Sequence, residues 1–244
     1  MVGAVAIVKF GSTSTTLLAA VGLNRVILRE QRLINLFSPD GPERIVAWAR
    51  EIRNRVDQLG IEPLAAGGEG LRLNRPLQSR LERVFPWWWH LTGATEGILA
   101  WMAVKAQHPA CDVVVDIGGG STEIITREKT LSYPVGAARS GSAAWEVFTD
   151  ARGPVFIGGT AVALAARMKR WQLTADHVAG FLQALKTHPE QFRDLDPLRR
   201  QMLPRGLALM EDIIRRNEWP QFDVSDRGLT EGLWLAASLG RIAP

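Results

Sequence analysis

An α/β fold built from two similar halves is what the sequence predicts, and three observations predict it. Residues 2–8 and 113–115 are valine-rich apolar runs, each ending three residues before a turn of small residues, Gly11-Ser12-Thr13-Ser14 and Gly118-Gly119-Gly120-Ser121. Each turn is followed by two further strand-like runs, and those by stretches whose apolar residues recur at three-to-four spacing. A strand meander followed by helices therefore occurs twice, which is the mark of an internally duplicated fold.

In the first half, residues 2–8, 17–21 and 25–37 predict three strands, and Ser38-Pro39-Asp40-Gly41-Pro42 breaks the pattern. Ile45, Val46, Ala49, Ile52, Val56 and Leu59 then share one helical face until Gly60 stops it. A short strand at 63–66 runs through Gly67-Gly68-Glu69-Gly70 to Arg72 and a helix around 77–84. The next helix, 95–107, is apolar on nearly every side (Ile98, Leu99, Trp101, Met102, Val104), which predicts burial between layers or between domains. The boundary is placed after it, at His108-Pro109, dividing the chain into domains of residues 1–108 and 109–244. The second half reads as strands at 113–115, 123–126, 130–134 and 155–157, the turn Gly158-Gly159-Thr160, and a helix reaching Trp171. Two or three more helices between 174 and 217 and a last strand and helix from Phe222 complete it. Two such copies would leave their glycine turns facing a cleft, where small-molecule sites usually lie.

Composition narrows the classes of function. With 244 residues, 46% of them apolar, the chain can bury a substantial core without disulfide staples, and a single cysteine, Cys111, excludes an internal disulfide and any CxxC metal site. Both facts suit a cytoplasmic protein. The apolar opening stretch is interrupted by Lys9, Gly11 and a run of hydroxyls and lacks a charged start, so it reads as buried strands and not as a targeting or membrane segment. Lys and Arg exceed Asp and Glu by 29 to 25, but the arginines are scattered, so specific nucleic-acid binding is not expected; a solvated basic surface or a polyanionic small substrate accounts for the surplus. His90, His108, His177 and His188 show no metal-ligand spacing.

The chemistry lies in the turns. Glycines let a backbone approach a ligand closely, and successive amides can form a concave anion site. Gly118, Gly119, Gly120 and Ser121, like Gly158, Gly159 and Thr160, follow strands and carry hydroxyl donors, although a tight hairpin alone explains paired glycines as often. Asp116 ends a strand beside the first of these turns. A carboxylate next to bound phosphate would hold a divalent cation or orient water; the plainer reading is a turn cap. Of Trp87-Trp88-Trp89, at least one ring should reach the surface.

In these motifs the sequence resembles the exopolyphosphatase and guanosine pentaphosphate phosphatase family, within the actin, sugar kinase and heat-shock ATPase superfamily, over most of the chain. Asp116-Ile117-Gly118-Gly119-Gly120-Ser121-Thr122-Glu123 resembles the family's second phosphate motif and Gly11-Ser12-Thr13-Ser14 its first. Tyr133-Pro134-Val135-Gly136-Ala137 resembles the segment that follows the second, and Gly158-Gly159-Thr160 the adenosine-side motif. Ser225-Asp226-Arg227-Gly228-Leu229-Thr230-Glu231-Gly232 is similar to the closing motif, and Gly93-Ala94-Thr95-Glu96-Gly97 to the segment with the catalytic glutamate. Arg72 falls where the family has a phosphate-binding arginine.

The resemblance implies two ribonuclease H-like domains with mixed sheets flanked by helices, and release of terminal phosphate from polyphosphate or guanosine pentaphosphate. Glu96 would be the general base, Asp116 the metal or water ligand, and Gly11, Ser12, Thr13, Lys9, Arg72 and the two later glycine turns the phosphate ligands. Glu96 as a simple helix-opening carboxylate is the alternative. Magnesium is the implied cofactor and polyphosphate or a phosphorylated guanine nucleotide the implied partner, with a homodimer among the states open to it. Against the family pattern, Lys9 replaces a metal-holding aspartate, Thr13 an asparagine, Thr16 a basic residue, Thr230 an arginine and Gln201 a late-helix aspartate. Lys9 should weaken magnesium binding, and its ammonium could touch phosphate instead. A second reading is therefore a catalytically weakened member acting as a sensor or regulator; an actin-like or kinase-like ATPase is a third.

Overall fold

The computed structural model describes residues 4–23 and 25–241; Val2 and Gly3 of the first predicted strand lie outside them. The chain divides into two compact units, Met1–Ala103 with Leu229–Pro244, and Val104–Gly228.

The first unit holds β1 (Ala4–Phe10), β2 (Ser14–Val21), β3 (Arg25–Leu33), β4 (Pro63–Gly67) and β5 (Trp88–Trp89) in one sheet of order β3-β2-β1-β4-β5. β1 to β3 form an antiparallel meander, while β4 runs parallel to β1 and β5 parallel to β4. Successive side chains of a strand point to opposite faces. Ala6, Val8 and Phe10 accordingly pack with Ile45, Trp48, Ala49 and Ile52 of α1 (Gly41–Gln58), whereas Ile7 joins Leu18 and Ala20 on the other face. Both faces of the central strands are covered, which is why their sequence is continuously apolar and does not alternate.

The element covering that second face is α8 (Leu229–Ser238), through Leu229, Leu233 and Trp234. Sequence order alone placed all of 109–244 in the second domain; the last helix instead packs on the first sheet, because its apolar side completes the cover that Ile7, Leu18 and Ala20 require. Gly232 permits this, since a side chain there would collide with the backbone of Leu99 in α4 (Gly93–Lys105). α4 buries Leu99, Ala100 and Ala103 and leaves Ile98 58% exposed, so it is less enclosed than its composition predicted.

The second unit repeats the plan. β6 (Val114–Ile117), β7 (Thr122–Ile125) and β8 (Thr130–Tyr133) form the meander, and β9 (Val155–Ile157), β10 (Gln172–Thr174) and β11 (Gln221–Val224) complete a sheet of order β10-β11-β9-β6-β7-β8. β9 is parallel to β6 and β11 parallel to β9, so the five strands from β8 to β11 reproduce the first sheet in order and direction. Against this sheet pack α5 (Gly159–Met168), α6 (Ala175–Thr187) and α7 (Pro197–Arg216), with Leu164, Leu182, Leu207 and Ile213 in one core. Among the described residues no helix is long and apolar enough to cross a membrane.

Candidate functional site

In the first unit the site is assembled at the carboxyl ends of β1 and β4. The chain turns after Phe10, with the Gly11 amide donating to the Ser14 carbonyl at 2.8 Å. The carbonyls of Ser12 and Thr13 accept from Leu36 and Ile34, which fixes the turn from outside. Thr13 is buried, as are Thr15 and Thr16 behind it, so Gly11 and Ser12 form the open part of the turn. Lys9 doubles back over it: a Cβ at Gly11 would stand 2.8 Å from Lys9 Nζ.

β4 leads into Gly68, whose amide donates to the Phe10 carbonyl at 2.9 Å. The single helical turn that follows, α2 (Glu69–Arg72), brings Arg72 into an ion pair with Glu96, which lies in the first turn of α4. Both side chains are largely withdrawn from solvent, at 28% and 18% exposure. The other Glu96 oxygen lies 3.4 Å from where a Cβ on Gly68 would be, so this carboxylate faces glycine backbone. Gly70 is held against Ser12, where a larger residue would collide with the hydroxyl. A pocket of about 320 Å³ opens beside Arg72, lined also by Gly67, Arg75, Gln78, Trp88 and His90. Trp88 stacks on Phe10 with ring centroids 5.7 Å apart and Trp89 packs on the opposite face, while Trp87 is 48% exposed. α3 (Arg75–Val84) supplies Gln78.

The second unit places Asp116 in β6 opposite Glu123 of β7 and beside Ile157 of β9. Directly opposed residues of an antiparallel pair bring their side chains to one face. Gly118 closes the turn by donating to the Ser121 carbonyl at 3.0 Å, and the carbonyls of Gly118 and Gly119 accept from Ala137 and Ala138. The turn is thus tied to the segment after β8, which Arg205 of α7 holds through the Gly136 and Arg139 carbonyls. At the end of β9, Gly158 has φ +89°, and a Cβ there would come 2.7 Å from Asp116 Oδ1 and 2.6 Å from the Ile117 carbonyl. Only glycine meets both demands. Thr160 is buried against Gly206 of α7, so its hydroxyl packs on that helix.

Two residues escaped the sequence reading. Glu123 stood at the end of the quoted motif, and its strand alternation with the Asp116 position was the available signal. Arg199 had none: its guanidinium lies against Gly159 because Asp196 caps α7 through the amides of Leu198 and Arg199 and so aims the helix's first turn. Burial lowers the pKa of that guanidinium, with Asp196 opposing the shift. Elsewhere in the closing motif, Thr230 is buried and Glu231 pairs with Arg29 at 2.6 Å.

The two units differ in what they offer a metal. Magnesium is usually held by one or two carboxylates together with phosphate oxygens and water. The Asp116 and Glu123 pair fits that requirement. The first turn does not, because Lys9 lies over it and Glu96 is committed to Arg72. Among the described residues, no group of three or more His, Cys, Asp or Glu side chains comes together as a metal cage.

No protein-family model and no curated protein matches the chain. Solved structures do. An exopolyphosphatase from Cytophaga hutchinsonii superposes with a TM-score of 0.81 at 17% identity, covering 98% of each chain. The fold is shared with that protein. An exopolyphosphatase-like protein gives 0.82 at 17% identity over 98% of this chain and all of the other, and the Aquifex aeolicus Ppx/GppA family member gives 0.74 at 20% identity over 99% of each. These likenesses extend over both units and carry the two mixed, helix-flanked sheets expected from the resemblance.

Proposed function

We propose that the chain is a member of the Ppx/GppA family and a phosphoanhydride hydrolase, releasing orthophosphate from the end of inorganic polyphosphate or of a phosphorylated guanine nucleotide. The observation that carries this reading is the Arg72–Glu96 pair held beside Gly68 and next to the first turn. A base for hydrolysis must be aimed at a water and stay ionised, and a guanidinium partner favours the ionised carboxylate while offering its remaining donors to phosphate.

In this scheme Gly11, Ser12, Lys9 and Arg72 take oxygens of the terminal phosphate. Glu96 accepts a proton from water as the water oxygen bonds to the terminal phosphorus. The bond from phosphorus to the bridging oxygen breaks, and its electron pair leaves with the shortened chain. Phosphoryl transfer depends chiefly on positioning and on neutralising the phosphate oxygens, which two cations and a glycine turn supply. Gly118 to Ser121, Gly158 and Gly159, with Arg199, offer comparable anion chemistry in the second unit. A magnesium ion bound by Asp116 and Glu123 would add neutralising charge there.

A second reading, a polyphosphate or nucleotide sensor with weakened catalysis, is favoured by Lys9 and by the burial of Thr13, Thr16 and Thr230, where the family pattern has polar or charged ligands. Phosphate release from long-chain polyphosphate and from guanosine pentaphosphate, with and without magnesium, separates the two. The hydrolase reading expects release that Glu96→Gln abolishes. Rates indistinguishable from that variant under every condition, with binding retained, would establish the sensor.

A further inference from the structure

β1 carries an ammonium where the second sheet carries a carboxylate. Lys9 stands two residues before Gly11, as Asp116 stands two before Gly118, and their strand neighbours correspond. Lys9 is flanked by Thr16 and Ala66, and Asp116 by Glu123 and Ile157. One position therefore has a second acid in register, and the other has a buried hydroxyl and a methyl group. The Lys9 side chain folds back so that its Nζ lies over Gly11, and no carboxylate pairs with it among the described residues. Glu96, the acid facing the neighbouring Gly68, is already neutralised by Arg72.

We propose that Lys9 is a direct phosphate ligand at the first turn, so that this protein binds the free polyphosphate anion there with no divalent cation between protein and phosphate. The proposal rests on the reading of the turn as a phosphate site. An ammonium is a compact point charge with three donors. Placed over a glycine, it has no side chain between itself and the turn. Lys9 brings a positive charge, uncancelled by the neighbouring Arg72–Glu96 pair, to the place where a divalent cation would otherwise neutralise the anion, and that charge repels such a cation. The anion recognised is thus the uncomplexed one, and magnesium, which complexes polyphosphate in solution, acts on this turn as a competitor.

The test is calorimetric titration of the wild-type protein with methylenediphosphonate, whose bridge cannot be hydrolysed, in EDTA and in excess magnesium. The expected result is an affinity in EDTA at least as high as in magnesium. Lys9→Met should weaken binding in EDTA by about 10-fold, the loss of one charge-assisted hydrogen bond. Lys9→Arg should retain metal-free binding, and thermal melting of both variants reports their folding. Lys9→Asp should reverse the metal dependence, binding only with magnesium. Binding by the wild type that requires magnesium, or Lys9→Met binding in EDTA like the wild type, would overturn the role of Lys9 while leaving a phosphate site standing. Absence of binding in both media would overturn the phosphate site itself.

Discussion

The two glycine turns are built alike and charged oppositely. Each follows the central strand of a sheet with the same strand order, and each lies beside a second glycine segment at the end of the neighbouring parallel strand, Gly67-Gly68 in one unit and Gly158-Gly159 in the other. At the first turn the strand delivers Lys9 and the neighbouring segment delivers an Arg72–Glu96 pair. At the second it delivers Asp116 with Glu123, and Arg199 lies over Gly159. The duplicated backbone therefore repeats the turn, and the residue two before each turn sets the charge beside it: an ammonium in one unit, a carboxylate with a second acid in register in the other.

The largest effect that sharpens this contrast is expected at Glu96. Glu96→Gln should lower phosphate release by about 10² to 10⁴-fold, the usual worth of a general base, and leave anion binding measurable; loss of binding alongside turnover would make Glu96 a structural partner of Arg72. Next is Cys111, which lies just before β6, at the end of the strand away from the second turn, and donates to the Val113 carbonyl. Burial raises its thiol pKa from 9.0 to about 11, so near pH 8 its thiolate fraction is lower by about 100-fold. Thiol labelling in the native protein should be slow by about that factor and become fast in denaturant. Fast native labelling would mean that the strand base of this unit opens readily.

The glycines separate the turns energetically. Gly158→Ala should destabilise by about 1–3 kcal/mol, because φ is +89° and the new methyl meets a backbone carbonyl and the Asp116 carboxylate. Gly11→Ala meets first the tip of a flexible lysine, which can swing away, and then the Ser14 carbonyl at 3.1 Å, which has to give by a few tenths of an ångström, and should cost about 1 kcal/mol while displacing Lys9. Equal losses in urea titration would show that the turns are not differently constrained. The smallest effect is expected at Asp212, in the last turns of α7. Burial raises its pKa, but hydrogen bonds from Arg216, Trp145 and Arg215 outweigh it and hold the carboxyl below its ordinary value of 3.8. A depressed folded pKa gives stability that is present above the unfolded value and lost as pH falls through the folded one. Asp212→Asn should therefore cost about 1 kcal/mol at neutral pH, and the difference from wild type should begin to shrink as pH falls below about 3.8 and vanish only below the lower folded value.

Much of this was legible in the chain because the signals were local. Valine-rich strands buried on both faces, turn glycines and helical spacing mark β1, β2, α1, β6 and β9 within a few residues. The two-residue β5 went unseen because three tryptophans hold no periodicity, and β10 because three residues pairing with a distant β11 leave no local pattern. The return of α8 to the first sheet was hidden for the same reason: which core an apolar helix serves depends on the face left uncovered elsewhere. In the candidate site, Asp116 and the glycines stood out by their place after strands, and Lys9 only by departing from the family pattern. The Arg72–Glu96 pair and the placement of Arg199 on Gly159 depend on contacts across 24 and 40 positions of sequence, which spacing does not encode.

A crystal structure of the wild-type protein grown in EDTA with methylenediphosphonate should show a phosphonate group within hydrogen-bond distance of Lys9 Nζ and of the Gly11–Ser12 turn, with Arg72 donating to the same group beside Glu96. A ligand bound away from that turn, or one that appears there only when a metal ion stands between it and Lys9, would contradict that placement.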